Sequence, residues 1–310
     1  MRISFIKTLA ELADRDARIV LLTADLGYMA LEPFVEKFPD RFFNVGVGEQ
    51  NMVGVATGLA EAGFLPFVYS IAPFAALRPY EFIRNGPILH HLQVRVVGVG
   101  GGIEYSHNGV THYGLEDVAV MRVQPGITVV APGDYQQTRA ALLASWDLAG
   151  PIYYRLGKDD KTSVPGLEGH FALGRAEVLK EGTDILIVTM GSIAGEVVGA
   201  AKILAEQGVS ACVLLVSSFN PAPVEDLIDH LDRFQQVITA EAHYPSGGVG
   251  SLVCEVAAER GARCRVTRCS IESCNDGITG SQQFFYDRHG LSGKAIAATA
   301  LRALRGTVAT

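Results

Sequence analysis

Asn44-Val45-Gly46-Val47-Gly48-Glu49-Gln50-Asn51 runs straight into a small-residue helix from Met52 to Gly63, and the reading of that junction decides the fold. An apolar stretch passes through two glycines into a helix that opens on one carboxylate, which is a strand-to-helix turn. Glu49 is the only ionisable side chain between Arg41 and Glu61. Its carboxyl is therefore partly desolvated unless a neighbour hydrogen-bonds it, and such groups recur at catalytic sites. An acidic residue in a first helical turn also meets the positive end of the macrodipole, so a capping role and a chemical role both stay open. Gly46 and Gly48 let backbone or ligand come close. Gly54, Ala56, Gly58 and Ala60 give the helix a flank of minimal bulk, suited to a core or to an interface.

Outward from this junction, apolar runs alternate with amphipathic segments. Ile19 to Ala24, Phe64 to Ser70, Val94 to Val99, Ile127 to Ala131 and Ile152 to Arg155 read as buried strands; Pro79 to His90 and Tyr135 to Leu148 read as helices. Such alternation predicts a parallel sheet covered on both faces. A polar, turn-rich stretch around Lys158-Asp159-Asp160-Lys161 marks a connection between domains. Beyond it, strands Ile185 to Met190, Ser210 to Val216 and Val237 to Ala240 alternate with helices Ala194 to Gln207, Val224 to Leu231 and Gly248 to Glu259. The expected architecture is α/β in two domains, with the boundaries 1–160, a linker over 161–180, and a smaller unit over 181–310. Gly98-Val99-Gly100-Gly101-Gly102 follows a strand, yet Ile103 stands where a dinucleotide fingerprint needs glycine, so the run shapes an open loop instead.

The 310 residues, 48% of them hydrophobic and 19% charged, suffice for more than one core. A net charge of −7 without clustered Lys and Arg argues against a nucleic-acid partner. No apolar run approaches a membrane span and the first residues lack a signal-peptide pattern, so no membrane role and a cytoplasmic location are expected. Cys212, Cys254, Cys264, Cys269 and Cys274 show neither a CxxC pair nor zinc-like spacing; no metal site is expected on this chain.

Five islands occur in one order: Gly48-Glu49-Gln50; Phe64-Leu65-Pro66-Phe67 with Phe74; Gly109-Val110-Thr111-His112; Pro151-Ile152-Tyr153-Tyr154-Arg155; and Gly247-Gly248-Val249-Gly250-Ser251. Together they resemble the C-terminal half of the thiamine diphosphate enzymes of the transketolase family. The resemblance implies a pyrimidine-binding domain followed by a transketolase C-terminal domain. It places Glu49 against the cofactor's pyrimidine ring, Phe74 on the face of that ring, and His112 against substrate oxygens. Arg155 and Arg2 match arginines that grip an anionic substrate group. Glu241-Ala242-His243 lies away from the chemistry, with His243 read as structural.

Departures limit the match. The family carries a histidine where this chain has Gly100, an aspartate where it has Asn108, and a serine near Met29. An ordinary pentose phosphate acceptor is therefore not expected, and His107 beside Asn108 is a replacement donor. The Gly-Asp-Gly motif that holds Mg²⁺ and the cofactor's diphosphate is missing; Asn275-Asp276-Gly277 is its nearest echo. The resemblance thus implies half a site, completed by a separate N-terminal-half subunit that holds most of the Mg²⁺ contacts, in an α2β2 heterotetramer. The expected activity is transfer of a two-carbon ketol unit, through a thiamine diphosphate-bound carbanion, from a ketose donor to an aldehyde or carrier-bound acceptor. Acyl transfer from a 2-oxo acid, as in 1-deoxyxylulose-5-phosphate synthase or pyruvate dehydrogenase beta subunits, and a catalytically silent scaffold are the alternatives.

Overall fold

The structure, a computed structural model, describes residues 1–274 and 277–306. In chain order its strands are β1 (Ile19–Thr23), β2 (Phe42–Asn44), β3 (Leu65–Ile71), β4 (Arg95–Val99), β5 (Thr128–Val130), β6 (Ile152–Leu156), β7 (Ala176–Lys180), β8 (Ile185–Thr189), β9 (Ala211–Val216), β10 (Ser218–Asn220), β11 (Gln236–Ala240) and β12 (Arg265–Cys269). They form one sheet in the order β10-β5-β6-β4-β3-β1-β2 and another in the order β12-β11-β8-β9-β7. Neighbours run parallel except at one edge of each sheet, where β10 opposes β5 and β7 opposes β9.

Alternate residues feed opposite faces, as a doubly covered sheet requires. Val20, Leu22, Val68 and Val96 enter one core, which helix Glu49–Glu61 closes with Met52, Val53 and Ala56. Ile19, Leu21, Phe67 and Val97 enter another, closed by helices Arg2–Arg15 and Tyr135–Ser145 through Phe5, Leu9 and Leu142. The first core does not stop at the domain boundary: Leu186, Leu214, Val237 and Val253 of the second sheet and its helices belong to the same cluster.

Three stretches differ from their sequence reading. Pro79 to His90 is not one helix but a short α-turn, Tyr80–Ile83, followed by a π-turn, Arg84–Ile88, that contains Pro87. Proline has no amide hydrogen to give to the preceding turn, so the ladder widens there. The interval 161–180 ends in β7, which pairs with β9 and is therefore part of the second sheet. Three-residue β10 crosses back to extend the first sheet. Asn275-Asp276-Gly277 falls partly outside the described residues. Among the described residues no helix is long and apolar enough to cross a membrane.

Candidate active site

The carboxyl ends of β2, β3 and β4 lie side by side, and ligands of open α/β sheets bind at such ends. From β2 the chain turns through Gly46, at φ +73, into helix Glu49–Glu61. Asn44 stabilises this turn: its Oδ1 accepts from the amides of Asp25, at 3.0 Å, and Gly46, at 3.1 Å. Glu49 is thereby set at the first helical position and only 1% exposed. Its carboxylate is not left bare. Arg78 Nη1 donates to Oε1 at 3.0 Å and to Oε2 at 2.9 Å, and Ser70 Oγ, on β3, donates to Oε1 at 3.3 Å.

Phe74 follows the end of β3 in the turn Ala72–Ala76. The Arg78 guanidinium lies 3.8 Å from the Phe74 ring centroid, so one planar cation hydrogen-bonds Glu49 and covers Phe74 at once. The His112 ring meets Phe74 edge-on, with centroids 5.0 Å apart. His112 reaches this point on an excursion after β4 whose two ends are tied by Gly102 and Gly114, amide to carbonyl at 2.7 and 2.8 Å. A Cβ at Gly114 would lie 2.9 Å from the Ala72 side chain, so the tie needs glycine for close approach. Burial, and next the Arg78 charge, lower the His112 pKa below its usual value, so its imidazole is neutral at neutral pH. Thr111 Oγ1 sits 3.0 Å from His112 Nδ1.

The structure thus gathers Glu49, Phe74 and His112 into one constellation and adds Arg78, which the sequence reading missed. Comparison with known proteins bears on what this constellation serves. The family model "Transketolase, pyrimidine binding domain" matches residues 1–161, and "Transketolase, C-terminal domain" matches residues 174–296. The chain belongs to the transketolase family. One of the two kinds of chain that make up the apulose-4-phosphate transketolase of Phocaeicola vulgatus is 34% identical over 305 residues, covering 97% of this chain and 96% of that one. The 6-deoxy-6-sulfo-D-fructose transketolase subunit SqwH of a Clostridium species is 36% identical over 299 residues, covering 96% and 92%. A solved structure described as a split-gene transketolase, an inactive β4 tetramer, superposes with a TM-score of 0.86 at 35% identity, covering 97% of each chain.

Transketolase-family domains imply thiamine diphosphate use, and the residues fit the cofactor's aminopyrimidine. The Arg78 guanidinium is a planar nitrogen-bearing group that meets the Glu49 carboxylate with its edge and Phe74 with its face. A planar heterocycle engaging the same carboxyl and the same aromatic face takes the same place.

Two residues expected to grip a substrate anion part company here. Arg155 is 4% exposed and points into the protein. Its Nε donates to Asp117 Oδ2 at 2.9 Å, and its Nη2 donates to the carbonyls of Ala242 at 3.0 Å and Gly114 at 3.2 Å. A guanidinium sealed in this way ties the domains together and does not present a fork to a ligand, which corrects its expected substrate role. The cause is its position within β6, where both faces are covered. Three residues later, past the strand's end, Lys158 lines a groove of about 770 Å³ together with Arg2, Glu104, Ser192 and Gln282. Arg2 has a buried Nε without a partner. His107 and Asn108 are exposed in the turn Ser106–Asn108, outside the Glu49, Phe74 and Arg78 contacts. Met29 is 78% exposed. His243 is fully buried, with its Nδ1 donating to the Tyr244 carbonyl at 2.7 Å.

Proposed function

We propose that this chain is the pyrimidine-side subunit of a two-component transketolase-like enzyme that moves a two-carbon ketol unit from a ketose donor to an aldehyde acceptor with an anionic end. The observation that carries the reading is the convergence of Glu49, Phe74 and His112 around one flat space at the carboxyl ends of β2, β3 and β4. When bound, thiamine diphosphate supplies the nucleophilic carbon that holds the ketol unit. Glu49 orients the aminopyrimidine and holds or releases a proton at its carboxyl. Phe74 supports the ring face, a stacking contact of about 0.5–1.5 kcal/mol beyond burial. Neutral His112 exchanges a proton with a substrate oxygen. Arg2 and Lys158 bind the anionic end of the acceptor, with the exposed His107 and Asn108 reading hydroxyls near it.

A separate diphosphate-side subunit completes the site, carrying most of the Mg²⁺ contacts, in an α2β2 assembly. Its docking is supported by apolar side chains left bare around the mouth: Tyr28 is 88% exposed, Met29 78% and Val47, in the turn before Glu49, 75%. Calorimetric titration of thiamine diphosphate with Mg²⁺ tests the reading. Saturable binding is expected with the partner subunit present and not with this chain alone. Glu49→Ala is expected to abolish turnover while the assembly forms as before; full activity of that variant, or carbon dioxide release from pyruvate by the wild-type assembly, would overturn the assignment.

A further inference from the structure

Gly100 and Tyr105 share one space. Gly100 sits at φ +72, and a Cβ on it would lie 2.2 Å from Cε2 and 2.4 Å from Cδ2 of Tyr105. The ring can hold its place only because position 100 has no side chain. From that place it touches both halves of the site. The His112 ring centroid is 6.5 Å away, tilted, and the Lys158 Nζ stands 4.0 Å from the Tyr105 centroid. Lys158 is steadied there, since its Nζ also donates to the Glu104 carbonyl at 3.3 Å. Burial raises the Tyr105 pKa, and the Arg2 charge is the leading influence against it, so the phenol lies within reach of the Arg2 field. Among the described residues the Tyr105 hydroxyl has no hydrogen-bond partner, and neither has the buried Arg2 Nε.

We propose that Tyr105 is the residue that sets acceptor choice: its hydroxyl joins the Lys158 ammonium and the Arg2 guanidinium as a three-point receptor for the phosphorylated or sulfonated end of an acceptor aldose whose aldehyde reaches His112. The inference rests on the ketol-transfer reading and deepens it by naming what selects the acceptor. A phenol donates one hydrogen bond to an anionic oxygen. Its ring face meanwhile keeps the ammonium in position by cation–π attraction. Removing the hydroxyl alone takes away one bond to a charged group; removing the ring also frees Lys158.

All three groups lie on this chain, so binding can be read without turnover. Glycerol 3-phosphate, with glycerol as the uncharged control, is titrated calorimetrically into the full chain and into its assembly with the partner subunit. Saturable binding of glycerol 3-phosphate and none of glycerol is expected. Tyr105→Phe, which keeps the ring and so the fold, is expected to weaken glycerol 3-phosphate by about three- to tenfold. Tyr105→Ala should weaken it by more than about tenfold. In both variants the affinity of the assembly for thiamine diphosphate stays as in the wild type. Unchanged glycerol 3-phosphate affinity in Tyr105→Phe, or no binding by the wild-type chain and assembly, overturns the proposal. So does a parallel loss of thiamine diphosphate binding, which would mark Tyr105 as a general support. The two readings fail separately: if the wild-type assembly ignores thiamine diphosphate while the Tyr105 pattern holds, the ketol-transfer reading falls and the anion receptor stands.

Discussion

Two arginine–carboxylate pairs in this protein have the same length and opposite meanings. Arg78–Glu49 and Arg155–Asp117 both close at 2.9 Å. At the mouth of the site the Arg78 side chain is 41% exposed over a Glu49 side chain at 2%; at the domain junction the values are 4% for Arg155 and 0% for Asp117. The exposed cation can leave for solvent and surrender its carboxylate to a ligand. The sealed one has nowhere to go: Tyr153 donates to Asp117 at 2.7 Å from one side, and Arg155 is bonded to the carbonyls of Ala242 and Gly114 on the other. Access to water, and not the closeness of the charges, separates an exchangeable pair from a rivet.

The largest effect should come from breaking the rivet. Asp117→Ala strands a buried guanidinium and the Tyr153 hydroxyl, and a buried pair that loses one partner costs about 3–5 kcal/mol. Urea unfolding measures it; a loss below about 1 kcal/mol would mean that water reaches Arg155 and that the contrast with Arg78 is false. Arg78→Met should cost the chain less, about 1–3 kcal/mol, because Glu49 loses one charged donor at a site that opens to solvent. The same change clears the Phe74 face, so thiamine diphosphate should bind the assembled variant more tightly than wild type by at least about threefold, given the modest worth of a half-exposed pair. Weaker binding would instead make Arg78 a support that holds Glu49 in position.

The contrast also explains what the sequence could disclose. Glu49, Phe74 and His112 each stand a few residues beyond a strand end, in glycine- or proline-marked turns, so their signal is local. Arg78 pairs with a residue 29 positions away, and nothing near Leu77-Arg78-Pro79 announces that contact. Lys158 lies in the polar stretch read only as a linker, whereas Arg155, three residues earlier, took the role by resemblance. Within β6 a side chain belongs to a covered sheet, and the ligand-facing position comes only after the strand ends. The central strands were legible because every residue of β1, β3, β4 and β6 is buried, which gives continuous apolar runs. β7 was not, because as an antiparallel edge it is mostly half-exposed and carries Glu177 and Lys180. Three-residue β10 is too short to leave a pattern.

The smallest effect concerns the junction around Arg155, where two buried titratable groups pull stability in opposite directions. Burial raises the Glu241 pKa to about 7, against the amides of Gly250 and Val249 that donate to it. Burial lowers the His243 pKa to about 4. For Glu241 the folded chain keeps a proton that the unfolded chain releases between about pH 4.5 and 7, so this residue's contribution falls as pH rises through that window. For His243 the unfolded chain holds a proton that the folded chain refuses between about pH 4 and 6.5, so its contribution rises over nearly the same window. The two slopes largely cancel in the wild type. Glu241→Gln should therefore tilt stability upward with pH relative to wild type between about pH 5 and 6.5, and His243→Gln should tilt it downward, each by at most about 1.4 kcal/mol per pH unit. Denaturation midpoints at those two pH values read the sign directly. Tilts of the same sign would show that water enters this junction as it enters the mouth of the site, and would remove the distinction between the two arginine pairs.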